Sequence, residues 1–344
     1  MSITAAFTRS LDGQRVQCFL CPHRCALQPG ETGRCLVRFN RDGRLIAGSY
    51  GRPAALLPEA IEKKPLFHFF PGSLVLSLGT HGCNLSCSGC INWRISQNSG
   101  ESQLPEMTPP AVVAQAQAQR ADGIAFTFTE PAVFYEYCRD IALHARQAGL
   151  FVVAKSNGFM LPGVLKSMSE WLDAVNMDLK GWYGSRYRAM MGGALGPTLH
   201  SLRLARRLGL WLEISTLIIP GFNDTPVAIS NMARFITDEL GPQSPWHLLR
   251  FFPEHQMAAV PPTSQFQLAR AVEIGQRAGL QYIYTQTLAH GQWLQTRCPM
   301  CQKTVIEREP HHLRASKLVQ GCCPTCSTPI PGIWQTNFIG VNDE

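Results

Sequence analysis

Between residues 74 and 287 two patterns alternate along the chain. Short apolar runs rich in β-branched and aromatic residues, bounded by Gly, Pro or polar clusters, predict strands. They are LVLSLGT (74–80), IAFTFT (124–129), LFVVAKS (150–156), AVNMDLK (174–180), LWLEISTLII (210–219), WHLLRFF (246–252) and YIYTQT (282–287). Between them lie helix-compatible segments: PPAVVAQAQAQRA, PAVFYEYCRDIALHARQ, PVAISNMARFITDEL and SQFQLARAVEIGQRA. Pro110, Pro131 and Pro226 fall in first helical turns, where a missing N–H is tolerated. Repeated strand–helix units imply a parallel sheet with its crossovers packed outside. The α/β class follows, as a full or partial (β/α) TIM-like barrel, with a doubly wound sheet as the alternative. ESQLPEMTPP is the most loop-like connector.

Polar residues gather just behind the predicted strands: Cys83 to Cys90, Thr129-Glu130, Ser156-Asn157, Asp178 with Lys180, Asn223-Asp224, and His247 with Arg250. In a β/α barrel these strand ends share one face, and that face carries the chemistry. Each residue also has an ordinary reading. Glu130 suits the first turn of a helix, Asp178 and Lys180 make a common loop pair, and His247 fits a hydrogen-bonded core histidine.

Composition narrows the picture. The 344 residues fit one barrel with small additions or two ordinary domains, and 45% hydrophobic against 16% charged residues argues against general disorder. The formal charge of +7 comes from scattered basic residues, apart from Arg203, Arg206 and Arg207, which read as a solvated helix face. Nucleic acid is therefore not the expected partner. MSITAAFTRS contains no apolar targeting core, and no run of about 18 apolar residues occurs, so a cytoplasmic location without membrane contact is expected. In that compartment 13 cysteines argue for metal ligation over disulfides. Twelve fall in three clusters, and Cys138 stands alone as a packing thiol. The expected division is a four-cysteine module at 1–60, a barrel at 61–290 and a zinc-ribbon-like tail at 291–344.

Cys83, Cys87 and Cys90 follow the first predicted barrel strand with C-x3-C-x2-C spacing. Three thiolates can hold three corners of a [4Fe–4S] cube, whereas an electron-transfer cluster would use four. The fourth iron is left for an exogenous ligand. The alternative is zinc completed by His81 or a distant residue.

This loop resembles the signature of the radical S-adenosylmethionine (SAM) enzymes. The resemblance implies that the open iron chelates SAM and that one electron cleaves it to methionine and a 5′-deoxyadenosyl radical. That radical would abstract hydrogen from an unidentified small-molecule or protein substrate. It further implies a one-electron donor of the flavodoxin or ferredoxin kind. FTFTEPAVF is similar to the family segment that meets the SAM amino group, which places Thr129 and Glu130 there. SNGFM and NMDLKGW resemble segments of the pyruvate formate-lyase activating enzyme-like proteins, with Asn157, Asp178 and Lys180 at the matching positions. IIPGFNDT, with Asn223, resembles the segment lying along SAM, and His247 in PWHLLRFFP matches a late-strand histidine. CFLCPHRC, GRCLVRFNRDG, IEKKPLFHFFPGS, NWRISQ and GIW resemble the AmmeMemoRadiSam system radical SAM enzymes, so the likeness covers nearly the whole chain. The departures are Gly89 where an aromatic is usual, Ile91 where that subgroup has glutamine, and Lys155 where activases carry a cation-binding aspartate. YIYTQTLAHG also lacks an expected Gly-Asn.

The outer clusters carry their own chemistry. Cys298-x2-Cys301 and Cys323-x2-Cys326 have the spacing of a zinc ribbon, with Cys322 spare, TVIERE and PIPGIW as its expected strands, and an iron site as the rival. Cys18, Cys21, Cys25 and Cys35 suit either zinc or an auxiliary cluster. Three readings stay open: a SAM-cleaving enzyme, an activase installing a glycyl radical on a partner protein, and a non-catalytic metal-stapled scaffold or nucleic-acid adaptor.

Overall fold

A computed structural model describes residues 3–99, 105–285, 291 and 293–334. Its central sheet has eight strands: β1 Pro53–Ala60, β2 Leu74–Thr80, β3 Gly123–Phe126, β4 Phe151–Ser156, β5 Ala174–Asp178, β6 Trp211–Ile218, β7 Trp246–Arg250 and β8 Ile283–Tyr284. Spatial order follows chain order, β2 to β8 run parallel, and β1 joins β2 antiparallel. Among the described residues β1 and β8 are edges that do not pair, so the barrel is partial.

Each predicted strand is present, and the differences have local causes. IAFTFT stops at Phe126 because the Thr129 amide turns back to the Thr127 carbonyl (2.7 Å) across Phe128, whose φ is +66°. YIYTQT is a strand only at Ile283–Tyr284, and its last two residues, like the LAH that follows, lie outside the described residues. The loop ESQLPEMTPP is likewise described only from Pro105 onward. β1 was not expected, since PAALLPEA contains two prolines. At a sheet edge those residues cost no ladder bond on the inner side. The sheet thus starts before the expected boundary at residue 60.

Among the described residues, the longer helices cover the outside: α1 Pro109–Ala118, α2 Tyr135–Gln147, α3 Pro162–Met168, α4 Gly184–Met191, α5 Leu195–Arg207, α6 Pro226–Phe235 and α7 Gln265–Arg277. Thr108 and Thr225 cap α1 and α6, each followed by proline in the first turn, and Ser264 with Gln267 forms a capping box on α7. Cys138, on α2, is buried. Arg206 and Arg207 end α5 in solvent, while Arg203 pairs with Glu239 (2.7 Å). No helix among the described residues is long and apolar enough to cross a membrane.

One mouth of the barrel is filled. Val75, Ala125, Val153 and Ala174 cluster with Ile61, Leu66 and Phe69, which come from the segment joining β1 to β2. Against this floor sits a three-stranded antiparallel sheet of Thr296–Arg297, Thr304–Glu309 and His312–Ser316. TVIERE forms its central strand, whereas PIPGIW supplies only single bridges, Pro329 to Cys322 and Ile333 to Phe69. Arg308 donates to the Phe67 carbonyl (2.6 Å) and lies 4.4 Å over the Phe67 ring. His68 donates Nδ1–H to the Pro331 carbonyl (2.6 Å) and accepts from the Tyr284 hydroxyl through Nε2 (2.5 Å).

Burial pulls His68 down to about 4, against the opposing pull of Glu213. Below its ordinary value the unfolded chain binds a proton that the folded chain refuses. This stability is therefore present above about pH 6.5 and lost progressively towards pH 4, on the order of 3 kcal/mol in all. Urea midpoints measured from pH 7 to 4.5 should show that slope, and it should be reduced in His68→Gln. An identical slope in the variant would contradict the assignment.

The N-terminal residues form two small antiparallel sheets, one of Ile3–Thr4, Arg38–Arg41 and Arg44–Ala47, the other of Thr8–Ser10, Val16–Cys18 and Ala26–Leu27. They are tied to α2 by a buried pair. Arg38 donates to both Glu136 oxygens (3.0 and 2.9 Å) and to the Ala6 carbonyl (2.8 Å), while the Ala6 amide donates to Glu136 (2.6 Å).

Candidate functional site

The open mouth, opposite the floor, is built from loops that follow the parallel strands. The loop after β2 carries Cys83, Cys87 and Cys90, all half-buried. Its backbone is held from outside. Ser86 and Ser88 amides donate to the Met191 and Met190 carbonyls at the end of α4 (3.0 and 2.9 Å), and Gln97 donates to the Cys87 carbonyl (3.1 Å). Gly82 has φ +87°, and a Cβ there would run into the Cys35 carbonyl. The N-terminal module therefore packs directly on the base of this loop. A Cβ at Gly89 would lie 3.0 Å from Met257 Sδ and 3.1 Å from the Phe251 ring. The space where an aromatic was expected is filled by two residues from beyond β7.

After β3, Glu130 is 1% exposed and accepts three bonds, from the Asn157 amide (2.7 Å), the Ala132 amide (3.1 Å) and the Ser156 hydroxyl (2.9 Å). Burial pushes its carboxyl up to about 7, against the pull of these donors. Thr129 donates to the Thr80 carbonyl (3.0 Å), joining this segment to the root of the cysteine loop. Asn157 donates to Asn84 Oδ1 (2.9 Å) and faces Cys83 Sγ at 3.7 Å.

Asp178, at the end of β5, lies between two ammonium groups, Lys155 from β4 and Lys180 at 2.5 Å. Burial opposes its charge, yet the two lysines hold its carboxyl down at about 2. Burial opposes the Lys180 charge as well, and Asp178 with the neighbouring Cys87 raises its pKa. Burial pushes the Cys87 thiol up to about 11 despite Lys180.

Asn223 and His247 are placed differently. Asn223 closes its own turn, donating to the Lys180 and Leu217 carbonyls (2.9 and 2.7 Å) and accepting from the Ile219 amide (2.7 Å). It holds the Lys180 backbone. His247 is level in register with Ser215 and Asp178 on neighbouring strands. Its Nε2–H donates to Glu213 (2.6 Å), and its ring packs on Phe67 and Tyr284. Glu213 also accepts from Trp211 and from the Phe67 and His68 amides (3.1, 3.0 and 2.8 Å), so it is the charged partner and His247 is neutral. His247 thus hangs from the floor network, and its buried Nδ1 has no hydrogen-bond partner among the described residues.

Sequence reasoning missed Glu213, Asn84 and the Met190–Met191 carbonyls. Glu213 had a signal, a lone carboxylate inside the apolar run LWLEISTLII. The backbone carbonyls had none.

The donor set distinguishes metals. Among the described residues, the group of ligand atoms lying mutually within 4.8 Å is that of Cys298, Cys301, Cys323 and Cys326. Cys298 and Cys326 sulfurs are 3.5 Å apart, Cys301 and Cys323 sulfurs 3.6 Å, and Cys322 stands outside. Among the described residues no three of Cys83, Cys87, Cys90 and His81 form such a group. Three separated thiols with no fourth on the loop fit a larger inorganic core with one open corner.

Comparison with known proteins points the same way. A family model described as the radical SAM superfamily matches residues 77–233, from within β2 to within α6. An uncharacterized protein of Methanocaldococcus jannaschii is 39% identical over 305 residues, 88% of this chain and 91% of that one. The benzylsuccinate synthase activating enzyme of Thauera aromatica is 30% identical over 132 residues, only 38% of this chain and 39% of that enzyme. In fold, a radical SAM methyltransferase from Sphaerobacter thermophilus matches with a TM-score of 0.50 and 14% identity, over 72% of each chain. Such enzymes use a [4Fe–4S] cluster and SAM. With the cysteine loop, the parallel sheet and the matched segment in agreement, this chain belongs to the radical SAM superfamily.

Proposed function

We propose that Cys83, Cys87 and Cys90 hold a [4Fe–4S] cluster and that SAM lies between it and Glu130, cleaved to start hydrogen abstraction from an unidentified substrate. The observation that carries this reading is the convergence of three separated thiols with a buried, three-fold hydrogen-bonded carboxylate at one barrel mouth. When bound, the cluster and SAM together supply the electron and the reactive radical.

The chain's own residues bind, orient and shield. Glu130 would accept from the SAM amino group, and an arriving cation would favour its ionised form over the proton that burial otherwise retains. Thr129 fixes that segment to the loop. Asn157 presents its amide N–H to Cys83, and Asp178 holds the Lys180 ammonium beside Cys87. Asn223 sets the Lys180 backbone, and His247 is held at the floor by Glu213. Anaerobically reconstituted protein given dithionite and SAM should release methionine and 5′-deoxyadenosine in step. A preparation well loaded with iron and sulfide that releases neither would overturn the reading.

The tail at 291–344 serves as a zinc ribbon, supported by sulfurs already at tetrahedral spacing. The expected content is a single zinc ion, lost in Cys301→Ala. Undiminished zinc in that variant, measured by elemental analysis, would refute the site. The N-terminal residues and the barrel make the other two units. Thirteen cysteines outside any disulfide support a reducing, cytoplasmic setting, and the one-electron donor expected of a radical SAM enzyme is flavodoxin- or ferredoxin-like. A second reading, a glycyl radical activase, is favoured by the likeness to the Thauera activating enzyme. An adjacent gene for a glycyl radical enzyme would support it, and companion AmmeMemoRadiSam genes would support the other subgroup.

A further inference from the structure

We propose that Cys18, Cys21, Cys25 and Cys35 hold a second iron–sulfur cluster, ligated by four thiolates, and that electrons reach the Cys83 loop through it. The electron path rests on the function proposed above, whereas the binding site stands on its own observations.

The first is the contrast between two four-cysteine sets in one chain. A tetrahedral ion with sulfur ligands at about 2.3 Å holds those sulfurs about 3.8 Å apart, the arrangement found in the C-terminal set. In the N-terminal set no three sulfurs lie mutually within 4.8 Å. The four thiols instead line a mostly enclosed void together with His23 and Arg38. A single ion would have to draw the module inward. A cluster, whose irons and sulfides stand between the thiolates, ligates four sulfurs at wider spacing than one ion does.

The second observation is Arg38. Its guanidinium is 1% exposed and lines the void, and its terminal nitrogens are satisfied by Glu136, Ala6 and Val133. Its Nε–H is buried with no partner among the described residues. Leaving such a donor unpaired costs free energy that a thiolate or sulfide acceptor in the void would recover. A four-thiolate cluster is anionic, and a guanidinium is the matching charge.

The third observation is position. The Cys35 carbonyl packs on Gly82, the residue before Cys83, and His23 Nε2–H donates to the Asn84 carbonyl just after it (2.8 Å). One backbone contact therefore separates a ligand of one set from a ligand of the other. The electron balance is simple. A low-potential flavodoxin or ferredoxin loses one electron, the N-terminal cluster gains and then loses it, and the Cys83 centre ends one electron richer with no atom moved.

The test uses full-length Cys83→Ala/Cys87→Ala/Cys90→Ala, reconstituted anaerobically and analysed for iron, sulfide, zinc and paramagnetic signals after dithionite. These substitutions leave the N-terminal module untouched, and circular dichroism with gel filtration checks the fold. The expected result is about four irons and about four sulfides per chain with a reducible signal, all lost when Cys18→Ser and Cys25→Ser are added. An iron-free, sulfide-free triple variant, with or without a second zinc, overturns the site. A triple variant retaining all the wild-type iron instead overturns the proposed Cys83 centre. For the path, Cys18→Ser/Cys25→Ser should lose flavodoxin-driven 5′-deoxyadenosine formation while the signal of the Cys83 centre persists. An unchanged flavodoxin-driven rate with that signal present overturns the path.

Discussion

Cys87→Ala is expected to form no 5′-deoxyadenosine above a control without SAM, while losing about four of its irons and keeping its zinc. The middle thiol of three has no substitute on the loop, whose cysteines are Cys83, Cys87 and Cys90 alone. The loss should be chemical and not structural. The loop backbone is fixed by the Met190 and Met191 carbonyls and by Gln97, none of which needs the Cys87 side chain. A half-buried thiol replaced by a methyl group should cost no more than about 1 kcal/mol, so urea midpoints should barely move. Wild-type product formation by Cys87→Ala would remove the central claim about the loop.

The second large effect concerns stability. Arg38→Met is expected to lower the unfolding free energy by about 3–5 kcal/mol, because Glu136 is then left as a buried, unpaired carboxylate. Arg38→Met/Glu136→Gln should recover most of that loss, since the amide oxygen still accepts from the Ala6 amide at 2.6 Å without a charge to bury. Urea unfolding of both proteins measures the difference. Equal midpoints for the single and double variants would show that the pair contributes packing alone and no charge compensation.

The sheet was legible because seven strands, buried on both faces, read as continuous apolar runs with turn residues between them. β1 was not, because its prolines are permitted only by its edge position, and an edge is a property of the finished sheet. The candidate site was legible where residues sit just behind a strand, as with Glu130, Asp178 and Lys180. His247 was read from its strand alone. Its partner Glu213 lies 34 residues away, and the amides holding Glu213 lie about 145 residues away, beyond any local signal. Gly89 looked like a defect for the same reason, since its neighbours Phe251 and Met257 arrive from the far side of the barrel.

The floor of the barrel also imposes an order in time. His68 takes its place between β1 and β2, but Pro331, which accepts from it, is made 263 residues later. At roughly 5–20 residues per second that interval is on the order of tens of seconds. Through it the imidazole N–H must be satisfied by water, while Glu213, made 145 residues after His68, can already collect its amides. The nascent barrel therefore has a provisional base, held by one carboxylate, before the chain's later residues seal it.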